Sequence, residues 1–134
     1  MIKSIIKQIR YVKSIIREKH KLKTRSPHWD LVRKTFIQTH SSCEACGSLK
    51  KLQVHHILPF HLYPELELDV SNLITLCMDK NECHLEIGHG GSFKSFNPYV
   101  RPFAQRFLIE TDILKRKLLI ETCSTIRKNV VLVK

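Results

Sequence analysis

Two kinds of metal-binding side chain are nested in the middle of this 134-residue chain. Thiols open the segment at Cys43 and Cys46 and close it at Cys77 and Cys83. Thiolates at such spacing favour a structural zinc site, whereas imidazoles and an amide can hold an exchangeable cation and move a proton. The spacing therefore predicts one structural and one chemical metal site. The side chains of the second kind are His55, His56, Asn72 and His84.

The first thiol pair, followed directly by a glycine, is typical of a zinc knuckle. Cys77 and Cys83 are separated by five residues, which is wider than the usual two to four. They can still complete the site if Cys77 ends a strand and Cys83 opens a helix. An odd total of five cysteines, with no apolar signal segment, favours metal thiolates in a reducing compartment over disulfides. The remaining thiol, Cys123, is expected to be a buried apolar side chain.

The imidazoles suit phosphodiester hydrolysis, which needs an activated water, stabilised charge on the phosphoryl oxygens and help for the departing oxygen. A histidine with an ordinary pKa of about 6.5 can accept a proton near neutrality, and His56 is the expected general base. Neighbouring residues on a regular strand point to opposite faces. His55 and His56 can thus line one site only if the strand is twisted or bulged near Pro59; otherwise His55 is a core or surface residue.

Between about residues 29 and 100 the thiols, the His-His pair, the asparagine and the final Cys-His resemble the HNH endonucleases, the ββα-metal or His-Me finger nucleases with a four-cysteine zinc site. The chain resembles the small members of this family from phages and mobile elements. The resemblance implies that His56 activates water and that His55 and His84 bind the catalytic ion.

Asn72 falls where the family places its asparagine. Its amide can brace the loop that holds His56, or accept the Nδ1 proton and leave Nε2 free as the base; an ordinary turn asparagine is the alternative. His89 lies five residues after His84 and could reach the ion if the helix unwinds at Gly88.

The identity of the catalytic ion is only partly constrained. Two imidazoles favour Zn²⁺, Ni²⁺ or Mn²⁺ over Mg²⁺, although members with Asp at the position of His55 commonly use Mg²⁺. Lys94 and Arg101 could hold phosphates beside the site. Phe93, Phe96 and Tyr99 are expected in the core rather than as platforms for bases.

Periodicity places the elements around these sites. Residues 2–23 carry an aliphatic stripe at helical spacing with Lys and Arg opposite. Such a helix can pack on the domain and meet phosphates, lie on an anionic membrane or be a cleaved presequence; lysine excess and missing aromatic anchors favour the first. The stripe consists of Ile2, Ile5, Ile6, Ile9, Val12, Ile15 and Ile16.

The following segments are expected to form two strands, three helices and a tail. Ser26 should cap a helix that begins at Pro27. Strands are predicted over 52–57 and 72–77, a short helix with Cys83 and His84 that ends at Gly88, a helix over 102–121, and an apolar tail over 130–133 that is a strand or disordered. The buried face of the capped helix should comprise Trp29, Leu31, Val32, Phe36 and Ile37.

These elements predict an α+β, ββα-metal core flanked by N- and C-terminal helices, within a single domain over 1–134. Its parts are a basic helix over 1–25, a zinc-stabilised core over 26–100 and a basic helix and tail over 101–134. Eleven basic residues face two acids in 1–34, four face seven in 35–100, and eight face three in 101–134. Basic flanks around a mildly acidic centre suit a polyanion held over a cation site.

The leading hypothesis is a metal-dependent endonuclease acting on DNA, most simply duplex DNA, in the cytoplasm of a bacterium or a phage-infected cell. The alternatives are a zinc-stabilised nucleic-acid-binding module without catalysis and a nuclease toxin directed at RNA. No apolar run is long enough to span a membrane. A partner such as phage packaging machinery and the oligomeric state are left open by the motif.

Overall fold

The computed structural model of the protein describes residues 24–131, with side chains up to residue 129. The predicted basic helix over 1–25 lies almost wholly outside the described residues, as does the end of the predicted tail. Two 3-10 turns precede β2, and a single π-helical turn follows it. The elements are α1 (Trp29–Thr39), β1 (Leu52–His56), turns at Pro64–Leu66 and Val70–Asn72, β2 (Leu73–Cys77), the π turn (His84–Gly88), α2 (Val100–Ile109) and α3 (Ile113–Val131).

The two strands form an antiparallel pair, which confirms the predicted α+β class and the two-strand centre of the ββα-metal arrangement. Pairing runs one to one from Leu52 opposite Cys77 to His56 opposite Leu73, so the predicted bulge is absent. All five residues of β2 are buried, in keeping with its continuous apolar run. The other edge of β1 has no strand partner within residues 24–131.

The core lies between β2, the π turn and the two C-terminal helices. Cys123 belongs to it, as predicted, and accepts a long hydrogen bond of 3.6 Å from the buried Asn97 amide. The same amide donates to the Ile87 carbonyl at 3.0 Å, which ties the loop before α2 to the π turn. The buried side chains are those of Cys43, Ala45, Ile74, Leu76, Cys77, Cys83, Ile87, Val100, Ala104, Phe107 and Cys123.

Helix α1 differs from the prediction at its start and in its buried face. It begins at Trp29, because Ser26 accepts from the His28 N–H at 3.2 Å and forms a turn around Pro27 instead of capping the helix. Phe36 is its fully buried residue, whereas Leu31 is 66% exposed. The helix contacts β1, and Trp29, Val32 and Ile37 are half-buried.

The helix predicted over 102–121 is two helices. Glu110 adopts an extended backbone, and the Asp112 carboxylate accepts from the N–H groups of Leu114 and Lys115 at 2.8 and 3.2 Å. An aspartate with these contacts caps a new helix, which explains the break. Helix α3 then continues to Val131, so the predicted strand or disorder at residue 130 is corrected to helix.

An aliphatic face on α2 and α3 is exposed among the described residues. Its members are Leu108, Ile109, Ile113, Leu114 and Leu118, which are 49 to 74% exposed. Within residues 24–131, no helix combines the length and apolarity needed to cross a bilayer.

Candidate active site

The four predicted zinc ligands come together. The sulfur atoms of Cys43, Cys46, Cys77 and Cys83 all lie within 4.8 Å of one another. A tetrahedral zinc with bonds of about 2.3 Å holds its sulfurs about 3.8 Å apart, so the four thiols fit the ion.

Local backbone structure explains how both thiol pairs meet. Cys43 N–H donates to the Ser48 carbonyl and Gly47 N–H to the Cys43 carbonyl, both at 2.8 Å, with Gly47 at a φ of +73°. These contacts form the tight turn that the knuckle requires. The wide second spacing is accommodated as expected, because Cys77 ends β2 and Cys83 precedes the π turn.

The thiols stabilise one negative charge among themselves. A hydrogen bond from Cys83 lowers the pKa of Cys43 to about 5, whereas the same contact, together with burial, raises the pKa of Cys83. Burial is also the main cause that raises the pKa of Cys46. The remaining thiols can lose their protons only when a cation binds among the sulfurs, as zinc does in a structural site.

Three histidines form a second cluster. Ring nitrogens of His55, His84 and His89 lie within 4.8 Å of one another, and His55 Nδ1 is 3.1 Å from His84 Nε2. Two ligands on one transition-metal ion at about 2.1 Å lie roughly 3.0 to 3.4 Å apart. The donor set therefore fits a divalent ion, with positions left for water and phosphate.

Hydrogen bonds select the nitrogens that face the ion site. His84 Nδ1–H donates to the Gln53 side-chain oxygen, and His89 Nδ1–H donates to the Ser95 carbonyl at 2.6 Å. Each of these hydrogen bonds places the proton on Nδ1, so the lone pair of Nε2 is free to bind an ion. Sequence reasoning missed both partners. Alternate residues of a strand lie on the same face, so Gln53 could have been identified from its position two residues before His55. Nothing in the sequence marks Ser95.

Burial keeps these imidazoles neutral. It lowers the pKa of His55 well below the usual range, with His89 and His84 adding to the effect. Burial and His89 lower the pKa of His84 to about 4, and burial also lowers the pKa of His89. Neutral imidazole is the form that binds metals, so the cluster is in its ligand state at neutral pH.

The π turn explains how His89 joins the cluster. Its N–H donates to the His84 carbonyl five residues earlier, at 3.1 Å, which brings residue 89 round above residue 84. The sequence predicts that the helix must unwind at Gly88 for His89 to reach the ion. In the structure the segment widens into a π turn instead. A Cβ on Gly88 would lie 3.3 Å from the His55 ring and 3.2 Å from the Leu76 side chain, so a larger residue there would push these side chains of β1 and β2 by a few tenths of an ångström.

His56 points to the opposite face of β1. Its Nε2–H donates to the Glu67 carbonyl at 2.9 Å, and its ring stacks on Trp29 with centroids 4.4 Å apart. The free lone pair is therefore on Nδ1, which corrects the expected arrangement with Nε2 free. Burial lowers the pKa of His56, and the Glu67 carbonyl partly opposes this.

Asn72 braces the loop that follows β1. Its Oδ1 accepts from Leu58 N–H at 2.9 Å, and its Nδ2 donates to the Leu58 and Leu66 carbonyls at 3.0 and 3.3 Å. It makes no hydrogen bond with His56, so the brace is the observed one of its two expected arrangements. The loop carries Glu67, and the amide thus acts on His56 indirectly.

A cavity of about 1040 Å³ joins the two histidine faces. Four consecutive β1 residues, 53 to 56, line it, which places both strand faces and the unpaired edge in its wall. His55 and His56 therefore reach one space without a bulge. His84, His89 and Lys94 line the same cavity.

Arg101 does not line the cavity. Its guanidinium pairs with Glu44 at 3.2 Å and donates to the Leu73 carbonyl at 2.8 Å, linking α2 to the knuckle and β2. This placement argues against the predicted phosphate contact. Phe93 also departs from expectation, because its side chain is 59% exposed on the cavity wall and not in the core.

Three residues beside His56 escaped sequence reasoning. Arg25 lies 5.1 Å from the Trp29 ring centroid and pairs with Glu67 at 3.3 Å. Glu67 is buried, and its carboxylate also accepts from Ser26 N–H at 2.9 Å. In the sequence, nothing distinguishes Glu67 from the other acidic residues of its loop. Trp29 is predicted to lie on the buried face of a helix.

Comparison with known families gives a match between residues 43–90 and the family described as HNH endonuclease. No curated protein and no solved structure matches the chain. The matched segment begins at the first knuckle cysteine and contains all four sulfurs, the three clustered histidines, His56 and Asn72. Residues 43–90 are therefore similar to the HNH endonuclease family.

Proposed function

We propose that the protein is an endonuclease that hydrolyses phosphodiester bonds in DNA with His56 as general base and one divalent cation. The observation that carries the proposal is the cavity lined by His56 on one side of β1 and by a three-histidine cluster on the other. The family match supports the reaction class, and DNA is the substrate on which HNH nucleases act.

His55, His84 and His89 would hold the cation, which when bound would stabilise charge on the phosphoryl oxygens and assist the departing oxygen. Three nitrogen donors favour Zn²⁺, Ni²⁺ or Mn²⁺ over Mg²⁺. The four thiols would hold a separate structural zinc. Lys94, exposed on the cavity wall, would contribute positive charge toward a substrate phosphate.

His56 is held in the tautomer that a base requires. The Glu67 carbonyl fixes the proton on Nε2, and Nδ1 is left to take a proton from water. The resulting imidazolium would remain hydrogen bonded to that carbonyl and stacked on Trp29, whose π face attracts a cation. Both contacts favour the protonated product of the step.

The test is nicking of supercoiled plasmid with each divalent ion by wild type, His56→Ala and His28→Ala. His28 is an exposed histidine outside the cavity and serves as the matched control. Loss of the base should slow nicking by about 10²- to 10⁴-fold while zinc content and DNA affinity stay unchanged. Equal rates for His56→Ala and His28→Ala would contradict the assignment.

A zinc-stabilised nucleic-acid-binding module without catalysis is the second candidate, and the four-thiol site favours it equally. It gives no role to the histidine cluster. DNA binding without nicking by the wild type, with every ion, would support it. Structured RNA in parallel reactions tests the third possibility, a nuclease toxin. We place the protein in the cytoplasm, where thiol ligands stay reduced.

A further inference from the structure

Phe93 is a large apolar side chain in a place where packing does not explain it. Its ring is 59% exposed on the cavity wall, with its centroid 5.0 Å from that of His89 and 5.8 Å from that of His84. The planes are inclined by 62° and 77°, so neither imidazole stacks flat on the ring. Aromatic surface is thus left uncovered beside the candidate ion site.

The loop that carries Phe93 is held in place by its own hydrogen bonds. Ser95 Oγ–H lies within hydrogen-bond distance of the His89 and Ser92 carbonyls, at 2.7 and 3.0 Å, and Ser95 N–H donates to Ser92 at 2.9 Å. His89 Nδ1–H donates to the Ser95 carbonyl of the same loop. The contacts that orient a candidate ion ligand therefore also position the exposed ring.

Two of the other aromatic rings that line the cavity are already engaged. Trp29 stacks on His56, and Phe60 lies 4.7 Å from the Arg25 guanidinium. Lys94 follows Phe93 directly and is exposed in the same cavity. An open aromatic ring next to a cation is the combination with which proteins bind an unstacked nucleotide, through its base and its phosphate.

We propose that Phe93 stacks on a nucleobase beside the scissile phosphate, so that the enzyme prefers DNA in which that base is unpaired or its step is opened. The inference rests on the proposed nuclease function and narrows its substrate class. Both faces of a base in an intact duplex are covered by neighbours, whereas single-stranded, gapped or mismatched sites offer one freely.

The test measures binding to a short single strand, a gapped duplex and an intact duplex in the non-cleaving His56→Ala background. Phe93→Leu keeps an apolar side chain without an aromatic face, Phe93→Trp restores one, and Tyr99→Leu is the matched control. Tyr99 is a 58% exposed aromatic residue in the same region that does not line the cavity. Co²⁺ absorption monitors ion binding by the histidines.

Phe93→Leu should weaken binding to the single strand and the gapped duplex by roughly five- to 150-fold, whereas Phe93→Trp and Tyr99→Leu stay near the parent value. In the catalytic background the loss should appear mainly in KM. Unchanged binding by Phe93→Leu, an equal loss on intact duplex, or a loss that follows Co²⁺ release would each overturn the proposal. The last result would make Phe93 a cover for the histidines.

The binding readout separates this inference from the nuclease proposal. If wild type fails to cut any substrate but Phe93→Leu still loses affinity for unpaired DNA, hydrolysis is refuted and stacking stands. If wild type cuts and Phe93→Leu binds like the parent, hydrolysis stands and stacking is refuted.

Discussion

At the scale of single residues, buried polar groups act on the chemistry through the backbone. The Asn72 side chain hydrogen bonds to backbone groups, and its amide fixes both ends of the segment between Leu58 and Leu66. The Glu67 carbonyl that holds His56 follows this segment directly. The position of His56, the proposed base, thus depends on an amide with which it makes no hydrogen bond.

Asn72→Asp should lower both stability and activity. A carboxylate of the same shape has no N–H to donate, and it would place its oxygens against the Leu58 and Leu66 carbonyls. Losing two hydrogen bonds in a buried position should lower the free energy of unfolding by about 2 to 4 kcal/mol, measured by urea unfolding. Plasmid nicking should fall at least about tenfold.

Ser71→Ala is the control for this substitution, because Ser71 is the exposed neighbour and bonds only to Asp69 among the described residues. An Asn72→Asp protein as stable and active as Ser71→Ala would show that the amide is an ordinary turn residue.

At the scale of elements, the π turn depends on glycines that admit neighbouring backbone. Gly90 has a φ of +58°, and a Cβ there would lie 2.7 Å from the Cys123 carbonyl oxygen of α3. Gly91 has a φ of +81°, but a Cβ would meet nothing closer than the Glu86 carboxylate at 3.8 Å. Substitutions at Gly90 and Gly91 therefore separate the cost of backbone strain from the cost of a steric clash with α3.

Gly90→Ala should therefore cost more than Gly91→Ala. Strain alone should lower the free energy of unfolding by about 1 kcal/mol, and the clash should add about 1 to 3 kcal/mol. Because α3 would be pushed from the π turn, ion binding by His89 should also weaken. Urea unfolding and Co²⁺ titration measure the two effects, and equal values for both variants would refute close packing at Gly90.

The elements that followed from sequence are those in which local pattern and tertiary structure agree. The β-branched run over 73–77 and the thiol spacing each predicted an element that the structure contains. The sequence predicted an ordinary short helix where the π turn lies, and the close approach of Gly88 to His55 and Leu76 is a tertiary contact that local spacing does not predict. The roles of Trp29 and Glu67 likewise depend on contacts across 27 and 11 residues, which no local pattern encodes.

At the scale of the whole molecule, the thiol site joins three separate parts of the chain. Its ligands come from the knuckle, the end of β2 and the start of the π turn. Ion binding at such a site can contribute on the order of 10 kcal/mol to folding. The histidine cluster shares the π turn with this site, and its other member, His55, lies on β1, which pairs with β2, so an ion held by the thiols would also stabilise the geometry of the cluster.

Cys83→Ser should abolish the structural site and, with it, the ordered histidine cluster. The expected result is loss of the thiolate-to-Co²⁺ charge-transfer absorption and of near-ultraviolet circular dichroism. Cys123→Ala is the matched control, since this buried thiol lies outside both ligand clusters and its loss should leave the absorption intact. Retained tertiary structure in Cys83→Ser would show that the core folds without zinc.

The one-to-one pairing of β1 imposes a rule of parity on this domain. Because successive side chains alternate in direction, inserting one residue between Gln53 and His55 would turn the ligand away from the ion cluster and carry another side chain into its place. Inserting two would preserve the orientation. Length variants of β1 that keep an ion-binding cluster should therefore differ by even numbers of residues.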